Sequence, residues 1–211
     1  LSEFETELPS SIKMAYLPNY GMVRIRLSSA DSHSPIDEQF SILKELVRDH
    51  LVIDQDMTIQ ETIASKLLEN NRTISVAESC TGGYISHLLT SIPGSSRFFW
   101  GSVIAYDNRV KRSILKVEQQ TLDQFGAVSM ETVIEMAKGV KAITGTDYSI
   151  ATSGIMGPGG GTEQKPVGTV YIACATPENV ESTIFQFRFD RKRNIELTAA
   201  HALDFLRKNM G

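Results

Sequence analysis

Apolar residues recur at two different spacings along most of this chain. Ile59, Ile63 and Leu67 fall on one face of a helix, and the apolar run at 73–77 that follows them is typical of a strand. The elements predicted beyond it are a helix after Gly83, a strand at 98–106, a helix over 133–143, strands at 148–153, 167–175 and 183–189, and a final helix over 195–206. This alternation, with the last two strands as an antiparallel pair, predicts an α/β fold: a three-layer α/β/α sandwich with a mixed sheet.

The N-terminal part follows a different order. Residues 12–17 and 22–27 are rich in β-forming side chains, and the Pro-Asn-Tyr-Gly segment at 18–21 has the chemistry of a turn. A helical stripe over 40–47 and a short apolar piece at 51–53 come next. The order predicts a small α+β module of ββαβ type ahead of the sandwich.

An acidic, polar segment at 54–56 separates the two parts. Directly after it, Thr58 and Glu61 have the spacing of a capping box, in which two side chains bind the first free N–H groups of a helix. We therefore expect a small module at 1–54 and a larger domain at 55–211.

Composition narrows the partners and the compartment. A formal net charge of -4 with 22% charged residues provides no basic stripe for phosphates, which disfavours nucleic acid as a partner. Cys80 and Cys174 lie far apart and form no Cys-x-x-Cys pair, as expected in a reduced, cytoplasmic setting. The chain has neither an apolar run near the roughly 20 residues that span a bilayer nor a signal-peptide pattern at its start, so we expect neither membrane insertion nor secretion. Because it opens at Leu1, we expect it to be cut or processed from a longer protein.

The first cluster with chemical potential is Ala-Glu-Ser-Cys-Thr-Gly-Gly at 77–83, where a strand should pass into a helix. Free N–H groups at a helix start can hold a phosphate, a carboxylate or a developing oxyanion, and glycines let a ligand approach closely. Its candidate ligand contacts are Ser79, Thr81, Gly82 and Gly83. The structural alternative is a capped turn in which the two hydroxyls bind local backbone groups.

A second cluster combines a serine, a phenol and an amine. Ser96 follows Pro-Gly-Ser, Tyr106 ends a predicted strand, and Lys111 comes five residues later. A serine hydroxyl needs a base, and a partly buried lysine with few carboxylates around it has its pKa lowered enough to serve as one. The alternative is a turn at 94–96 and a solvated lysine, because spacing in sequence does not establish proximity.

A third cluster is a glycine-rich stretch directly after a strand, whose candidate contacts are Ser153, Gly154, Gly157, Gly159 and Gly160. Such a loop can wrap a ligand with main-chain donors. It matches neither the P-loop pattern nor a Gly-x-Gly-x-x-Gly fingerprint that opens a helix, which disfavours nucleoside triphosphates and dinucleotides.

Two arginines precede the final helix, and no metal motif accompanies them. Arg191 and Arg193 are placed to grip a phosphate monoester, with surface charges as the alternative. The four histidines show no ligand spacing, so we expect no metal and no cofactor.

The order and spacing of several motifs resemble those of the competence/damage-inducible protein CinA family. The resemblance covers roughly residues 57 to 209 and concerns the C-terminal domain of that family; the module before it is similar to the small, KH-like middle domain, while the family's large N-terminal domain is expected to lie outside the sequence. The motifs are residues 77–83 (AESCTGG), 93–96 (PGSS), 126–129 (GAVS), 157–161 (GPGGG) and 165–170 (KPVGTV).

The resemblance implies a nicotinamide-nucleotide amidase that converts nicotinamide mononucleotide and water to nicotinate mononucleotide and ammonia, in pyridine-nucleotide salvage. By motif, Ser96 would be the nucleophile and Lys111 its base, with Ser79 and Tyr106 completing the catalytic set. Ser79, Thr81 and the 153–161 loop would contact substrate, and an arginine of 190–193 would hold the phosphate. A small-molecule nucleotide is the expected partner, and we expect a homo-oligomer.

The chain departs from the family pattern at two positions. Many relatives have threonine where it has Ser153 and alanine where it has Met156, and the second change adds bulk near the expected pocket. Two other functions stay open. One is a nonenzymatic nucleotide-binding or regulatory module associated with competence or DNA damage. The other is a nucleic-acid partner that acts in uptake or recombination, against which the acidic balance weighs.

Overall fold

The computed structural model of the protein describes residues 1–19 and 22–210. The chain divides into two compact units, Leu1–Met57 and Thr58–Gly211. The first contains a two-stranded sheet and the second a five-stranded one. Within the described residues, no helix combines the length and the apolarity needed to cross a membrane.

The first unit is built around a β-hairpin. Its elements are α1 (Ser2–Glu7), β1 (Ile12–Asn19), β2 (Met22–Ser29), α2 (Ile36–Leu46) and a 3-10 turn (Arg48–His50). The two strands pair antiparallel along their whole length, which confirms the predicted hairpin. Tyr20 and Gly21 of the predicted turn lie outside the described residues. Buried apolar side chains come from α1, β1 and α2: Phe4, Ile12 and Leu43.

The final strand of the predicted ββαβ order was wrong. Residues 51–53 belong to no strand, although Leu51 has extended backbone angles (φ -69°, ψ 118°). A strand requires a neighbour with which to exchange N–H···O=C hydrogen bonds, and an apolar pattern reports burial rather than pairing. All three residues are indeed half-buried, so the pattern identified their partial burial correctly. The short helix α1 was not predicted.

The second unit is the larger domain. Its elements are α3 (Ile59–Glu69), β3 (Ile74–Glu78), α4 (Tyr84–Thr90), a 3-10 turn (Ser95–Arg97), β4 (Phe99–Ile104), α5 (Asn108–Ser113), α6 (Gln119–Phe125), α7 (Met130–Thr144), β5 (Tyr148–Gly154), β6 (Thr169–Ala175), β7 (Val180–Gln186) and α8 (Arg191–Lys208). The strands lie in the order β4-β3-β5-β6-β7. β3 pairs parallel with β4 and β5, whereas β6 pairs antiparallel with β5 and β7. The sheet is therefore mixed and the fold α/β, as the pattern predicted.

The alternation of side chains along the strands explains the helical layers. Ala77, Ala151 and Ala173 pack in one buried cluster with the apolar stripe of α7. Small side chains on this face let the helix lie close to the sheet. Each of these alanines is preceded in its strand by a larger, fully buried residue that points to the opposite face, where α3, α4 and α8 lie. These residues are Val76, Ile150 and Ile172.

Two helix starts were predicted from local chemistry and are confirmed. Thr58 accepts a hydrogen bond from the Glu61 N–H, and the Glu61 carboxylate accepts one from the Thr58 N–H at 2.6 Å, which completes a capping box for α3. Ser129 accepts a hydrogen bond from the Thr132 N–H at the start of α7. Such caps each contribute about 1 kcal/mol, since they satisfy N–H groups that the helix leaves free.

One edge of the sheet collects the chain segments that carry polar side chains. The three parallel strands β3, β4 and β5 all end at this edge. β6 begins there, because Val170 pairs with Gly154, and β7 ends there. Ligands in open α/β sheets bind outside the carboxyl ends of the strands, so this edge is where a site is expected.

The close approach of α7 to the segment after α5 makes one glycine indispensable. A Cβ on Gly139 would lie 2.0 Å from the Leu115 carbonyl oxygen. Glycine to alanine in a helix usually stabilises by roughly 1 kcal/mol, but this contact requires the backbone to move, at about 1–3 kcal/mol. We expect Gly139→Ala to lower the urea midpoint, while the exposed neighbour change Lys138→Ala leaves it nearly unchanged. Equal midpoints for Gly139→Ala and the wild type would contradict the packing.

Candidate active site

A serine and a lysine meet in the interior at this edge. Ser79 follows β3 directly, and Lys111 lies on α5, the short helix after β4. The Lys111 Nζ lies 3.2 Å from the Ser79 Oγ, to which it donates a hydrogen bond. Lys111 is 1% exposed and Ser79 8% exposed. The contact joins residues 32 positions apart and gives the site a nucleophile-type hydroxyl beside an amine.

Burial determines the electrostatics of Lys111. Removal from water lowers the pKa of its ammonium, while nearby Cys80 and Asp107 act weakly in the opposite direction. Asp107 does not pair with the lysine, because its carboxylate accepts hydrogen bonds from the Arg109 backbone and guanidinium. Among the described residues, no carboxylate lies within ion-pair distance of Lys111. The amine is thus placed to lose its proton more easily than an ordinary lysine.

The contacts of the Lys111 nitrogen suit both the ammonium, which donates to all three oxygen atoms, and the neutral amine. Besides Ser79, it donates to the carbonyl oxygens of Ala105 at 2.7 Å and Tyr106 at 3.2 Å. A carbonyl oxygen only accepts, whereas a serine hydroxyl can also donate. A neutral amine has two N–H groups for the carbonyls and one lone pair left for the hydroxyl proton of Ser79. Loss of the ammonium proton therefore leaves every hydrogen bond satisfied and turns the lysine into a base.

A polar cleft of about 190 Å³ opens above this pair. It is lined by Ser79, Cys80, Tyr106, Asn108, Lys111, Ala127, Val128, Ser153, Gly154, Met156 and Arg191. The lining comes from the ends of β3, β4 and β5, from the segment before α7 and from the first residue of α8. Three members of the predicted catalytic set, Ser79, Tyr106 and Lys111, line this cleft, whereas Ser96 does not. Of the two candidate arginines, one lines it.

The structure does not place Ser96 at the site. Ser96 is exposed in the 3-10 turn before β4, and Phe99, three residues later, pairs with Ile74 at the opposite edge of the sheet. Five strand residues separate that edge from Ser79, a distance of about 15 Å or more at ~3.3 Å per residue. The predicted contact between Ser96 and Lys111 is therefore not formed, because Ser96 precedes the strand whose far end leads to the lysine.

Glu78 occupies the helix start that the sequence suggested as an anion site. Its buried carboxylate accepts hydrogen bonds from the N–H groups of Gly83, Ile85 and Ser86 at 2.9 to 3.1 Å, and from the Ser86 hydroxyl. These N–H groups are therefore already bound, and Gly82 and Gly83 do not line the cleft. The predicted phosphate or oxyanion cradle at this helix is wrong. Both glycines have positive φ and serve the turn into α4.

Two predicted substrate contacts have hydroxyls that are engaged inside the fold. The Thr81 hydroxyl is 2.8 Å from the Thr152 hydroxyl, and Thr81 does not line the cleft. The Ser153 hydroxyl donates to the Ala127 carbonyl oxygen at 2.6 Å, although Ser153 does form part of the wall. Thr81 thus lies outside the cleft, where its hydroxyl links the segment after β3 to β5. Ser153 fixes the segment before α7, and its proton is not free for a ligand.

The glycine-rich loop contributes only its first part to the cleft. Gly154 and Met156 line it, whereas Gly159 and Gly160 are exposed and lie outside the lining. Gly157 takes part indirectly, because its carbonyl oxygen accepts a hydrogen bond from Arg191 at 2.9 Å. Only the first part of the loop, at Gly154 and Met156, is therefore placed to contact a ligand, whereas the part at Gly159 and Gly160 is not.

The two arginines differ in position. Arg191 lines the cleft, and its Nη2 also donates to the Tyr106 hydroxyl at 3.2 Å. Arg193 is exposed, lies over the Phe189 ring at 5.7 Å and does not line the cleft. Two residues along a helix rotate the side chain by about 200° around the axis, so of these two arginines only Arg191 is placed to meet a bound ligand.

Sequence reasoning gave no role to several residues that shape the cleft. Asn108, Ala127 and Val128 line it, and Glu78 holds α4 beside it. The sequence did contain a signal for Glu78. Successive side chains on a strand point to opposite faces, so if Ser79 faces the cleft, Glu78 must point away from it. The lining by 127–128 follows from the packing of α7, for which the sequence offers no local pattern.

The cysteines are not activated. Burial raises the pKa of both the Cys80 and the Cys174 thiols to about 12, so both are neutral near pH 7. Within the part of the chain that the structure describes, no group of three or more His, Cys, Asp or Glu side chains is placed to hold a metal ion. The polar side chains that line the cleft carry hydroxyl, thiol, amide, amine and guanidinium groups.

Fold and site together define an α/β sandwich protein with a polar cleft at the carboxyl edge of its parallel strands. A family model described as the CinA C-terminal domain matches residues 56–210. The chain belongs to the CinA C-terminal domain family, which confirms the resemblance drawn from its motifs.

Curated relatives extend beyond the chain. It is similar to the CinA-like protein of Amoebophilus asiaticus, at 42% identity over 215 residues that cover 100% of this chain and 52% of the relative. The CinA-like protein of Cytophaga hutchinsonii is 39% identical over 216 residues, covering 100% of this chain and 51% of the relative. The chain thus spans about half the length of the curated relatives it matches.

Solved structures with the same fold are also named for competence and damage. The competence/damage inducible protein CihA from Agrobacterium tumefaciens is 36% identical with a TM-score of 0.70, covering 71% of this chain and 92% of that one. The competence damage-inducible protein A (ComA) from Klebsiella pneumoniae is 31% identical with a TM-score of 0.69, covering 71% and 93%.

The lowered pKa of Lys111 predicts a pH dependence of stability. In the unfolded chain the amine titrates at its ordinary 10.5, so between the folded and unfolded pKa values the unfolded state binds more protons. The unfolding free energy of the wild type should therefore rise with pH relative to that of Lys111→Met across this window. Urea unfolding of both proteins at several pH values gives the difference between their unfolding free energies. The contributions of the other titratable groups cancel in this difference. Parallel curves would show that burial does not lower the pKa.

Proposed function

We propose that the C-terminal unit is an amidohydrolase that converts nicotinamide mononucleotide and water to nicotinate mononucleotide and ammonia, with Ser79 as nucleophile and Lys111 as base. One observation carries the proposal: a buried lysine, with no carboxylate of the described residues as its partner, lies 3.2 Å from a serine hydroxyl that lines a polar cleft. This contact favours Ser79 over Ser96 as nucleophile, and the resemblance to the CinA family supports the choice of substrate.

The first half of the reaction forms an acyl-enzyme. The neutral Lys111 amine takes the Ser79 hydroxyl proton as the Oγ bonds to the carboxamide carbon. When the tetrahedral intermediate collapses, the C–N bond breaks and the proton passes from Lys111 to the departing nitrogen, which leaves as ammonia. The lysine ends this half neutral.

Water completes the second half by the same route. Lys111 removes a proton from the water molecule as its oxygen attacks the ester carbon. The bond from carbon to Ser79 Oγ then breaks, and the proton returns from Lys111 to the serine. The carboxylic acid product ionises and leaves. Both halves use one base because the amine faces the same oxygen throughout.

The residue after the nucleophile offers a backbone donor for the negative charge of the intermediate. Cys80 lines the cleft, and we assign its N–H to the developing oxyanion. A preorganised donor of this kind supplies about 2.7–4 kcal/mol of transition-state stabilisation in acyl transfer. The N–H groups of the first turn of α4 do not serve this role, since they are bound to Glu78.

Arg191 and the substrate's own charges account for recognition. The guanidinium at the rim is the cleft's fixed cation, suited to a phosphate monoester through paired N–H···O contacts. A pyridinium ring withdraws electrons from its carboxamide, which makes the amide carbon more electrophilic. Binding at the phosphate orients the distant reacting end, so a substrate that lacks the phosphate should react poorly.

The proposal is tested by incubating the protein with nicotinamide mononucleotide and measuring ammonia and nicotinate mononucleotide, with and without a chelator. Formation of both products in equal amounts, at a rate that the chelator does not reduce, supports the serine–lysine mechanism. Binding of the nucleotide without turnover would instead support a nonenzymatic nucleotide-binding module and would refute the proposal.

The two serines provide a matched pair of variants. Ser79→Ala removes the proposed nucleophile, and we expect kcat to fall roughly 10⁴-fold or more. Ser96→Ala changes an exposed turn at the opposite sheet edge, so kcat and KM should stay within about twofold of the wild type. The ammonia assay measures both, and circular dichroism checks folding. The reverse order of effects would restore Ser96 as nucleophile.

The two arginines form a second matched pair. Arg191→Ala removes the cation at the rim, and KM for nicotinamide mononucleotide should rise about 10- to 100-fold with a smaller change in kcat, as expected for a lost charged hydrogen bond. Arg193→Ala changes a residue two positions further along α8 that does not line the cleft, so KM should stay nearly unchanged. Steady-state kinetics on both variants decides, and a larger KM effect at Arg193 would contradict the assignment.

A further inference from the structure

Arg191 joins two segments at the rim of the cleft. One N–H group donates to the Gly157 carbonyl oxygen at 2.9 Å, and another donates to the Tyr106 hydroxyl at 3.2 Å. The first residue of α8 therefore connects the loop after β5 with the segment after β4. A guanidinium has five N–H donors, so further donors are left for a ligand.

The two contacts of Arg191 differ in how easily they exchange. Gly157 is buried and packs against Val167, since a Cβ at this glycine would lie 2.6 Å from the Val167 Cγ1. Tyr106 is 63% exposed, and among the described residues its hydroxyl has Arg191 as its hydrogen-bond partner. The backbone contact therefore holds the arginine in place, while the phenol contact is open to competition.

We propose that Tyr106 and Arg191 form a latch that the substrate's phosphate opens. Phosphate binding to Arg191 displaces the Tyr106 hydroxyl, and the released phenol turns into the cleft, where it hydrogen-bonds the carboxamide at the reacting end. This inference rests on the proposed function and adds a positioning role for Arg191. The exchange replaces a neutral hydroxyl acceptor by an anion that can accept from two N–H groups of the guanidinium at once, which favours phosphate binding.

The latch ties recognition at one end of the substrate to reactivity at the other. Tyr106 lines the same cleft as Ser79, and its backbone carbonyl oxygen accepts a hydrogen bond from the Lys111 amine, so the residue is anchored beside the reacting groups. A nucleoside without phosphate leaves the phenol on Arg191 and reacts slowly even when bound. The phosphate should therefore act even when it is supplied as a separate molecule.

The test uses nicotinamide riboside as substrate and phosphite dianion as the separate anion. In the wild type, phosphite should stimulate ammonia release from the riboside about tenfold, within the range usual for coupled sites. In Arg191→Ala the rate should be independent of phosphite, because the anion has lost the guanidinium that binds it. Tyr106→Phe should show no stimulation, and Arg193→Ala should be stimulated like the wild type.

Several results would overturn the latch. One is hydrolysis of nicotinamide mononucleotide without phosphite stimulation of the riboside, which leaves the proposed function intact. The others are full stimulation by phosphite in Tyr106→Phe or in Arg191→Ala. A ³¹P NMR titration of phosphite tests the latch without turnover, even if the proposed function fails. Tyr106→Phe should bind phosphite more tightly than the wild type, since no phenol competes, and equal affinities would refute the competition.

Discussion

The site depends on one buried amine that has no opposite charge beside it. An ammonium enclosed by protein is stable only where oxygen atoms replace its water, and Lys111 has three such atoms within 3.2 Å. Two are carbonyl oxygens at the end of β4, which the sheet fixes, and the third belongs to Ser79 at the end of β3. The parallel pairing of these two strands therefore sets both the proton affinity of the lysine and its distance from the hydroxyl.

Elements that depend on local chemistry were predictable from the sequence. The capping box of α3 and the Ser129 cap of α7 involve residues three positions apart, so their spacing is visible in the chain. Strand direction also held information about the serines. Ser79 follows a predicted strand and Ser96 precedes one, and ligands gather at carboxyl ends, so strand order alone favours Ser79. Motif comparison without that argument selected the wrong hydroxyl for contact with Lys111.

Other features depend on contacts between distant segments and leave no trace in local spacing. The commitment of Thr81 to Thr152 and of Ser153 to Ala127 removes two hydroxyls from the ligand, and both pairs form only when the sheet assembles. The lack of a strand at 51–53 has the same origin, since an extended segment becomes a strand only beside a partner. Residue type indicated possible chemistry at these positions, and tertiary packing decided it.

The Glu78 carboxylate has a consequence for the kind of molecule the cleft tolerates. A helix start facing a binding site normally projects a positive potential of about half an elementary charge into it. Here an internal anion cancels that potential at α4 through three backbone N–H groups and a hydroxyl. Under the proposed function, a pyridinium ring can thus approach the serine without repulsion from the helix, while Arg191 attracts the phosphate. The charge pattern of the cleft then complements the two opposite charges of that substrate.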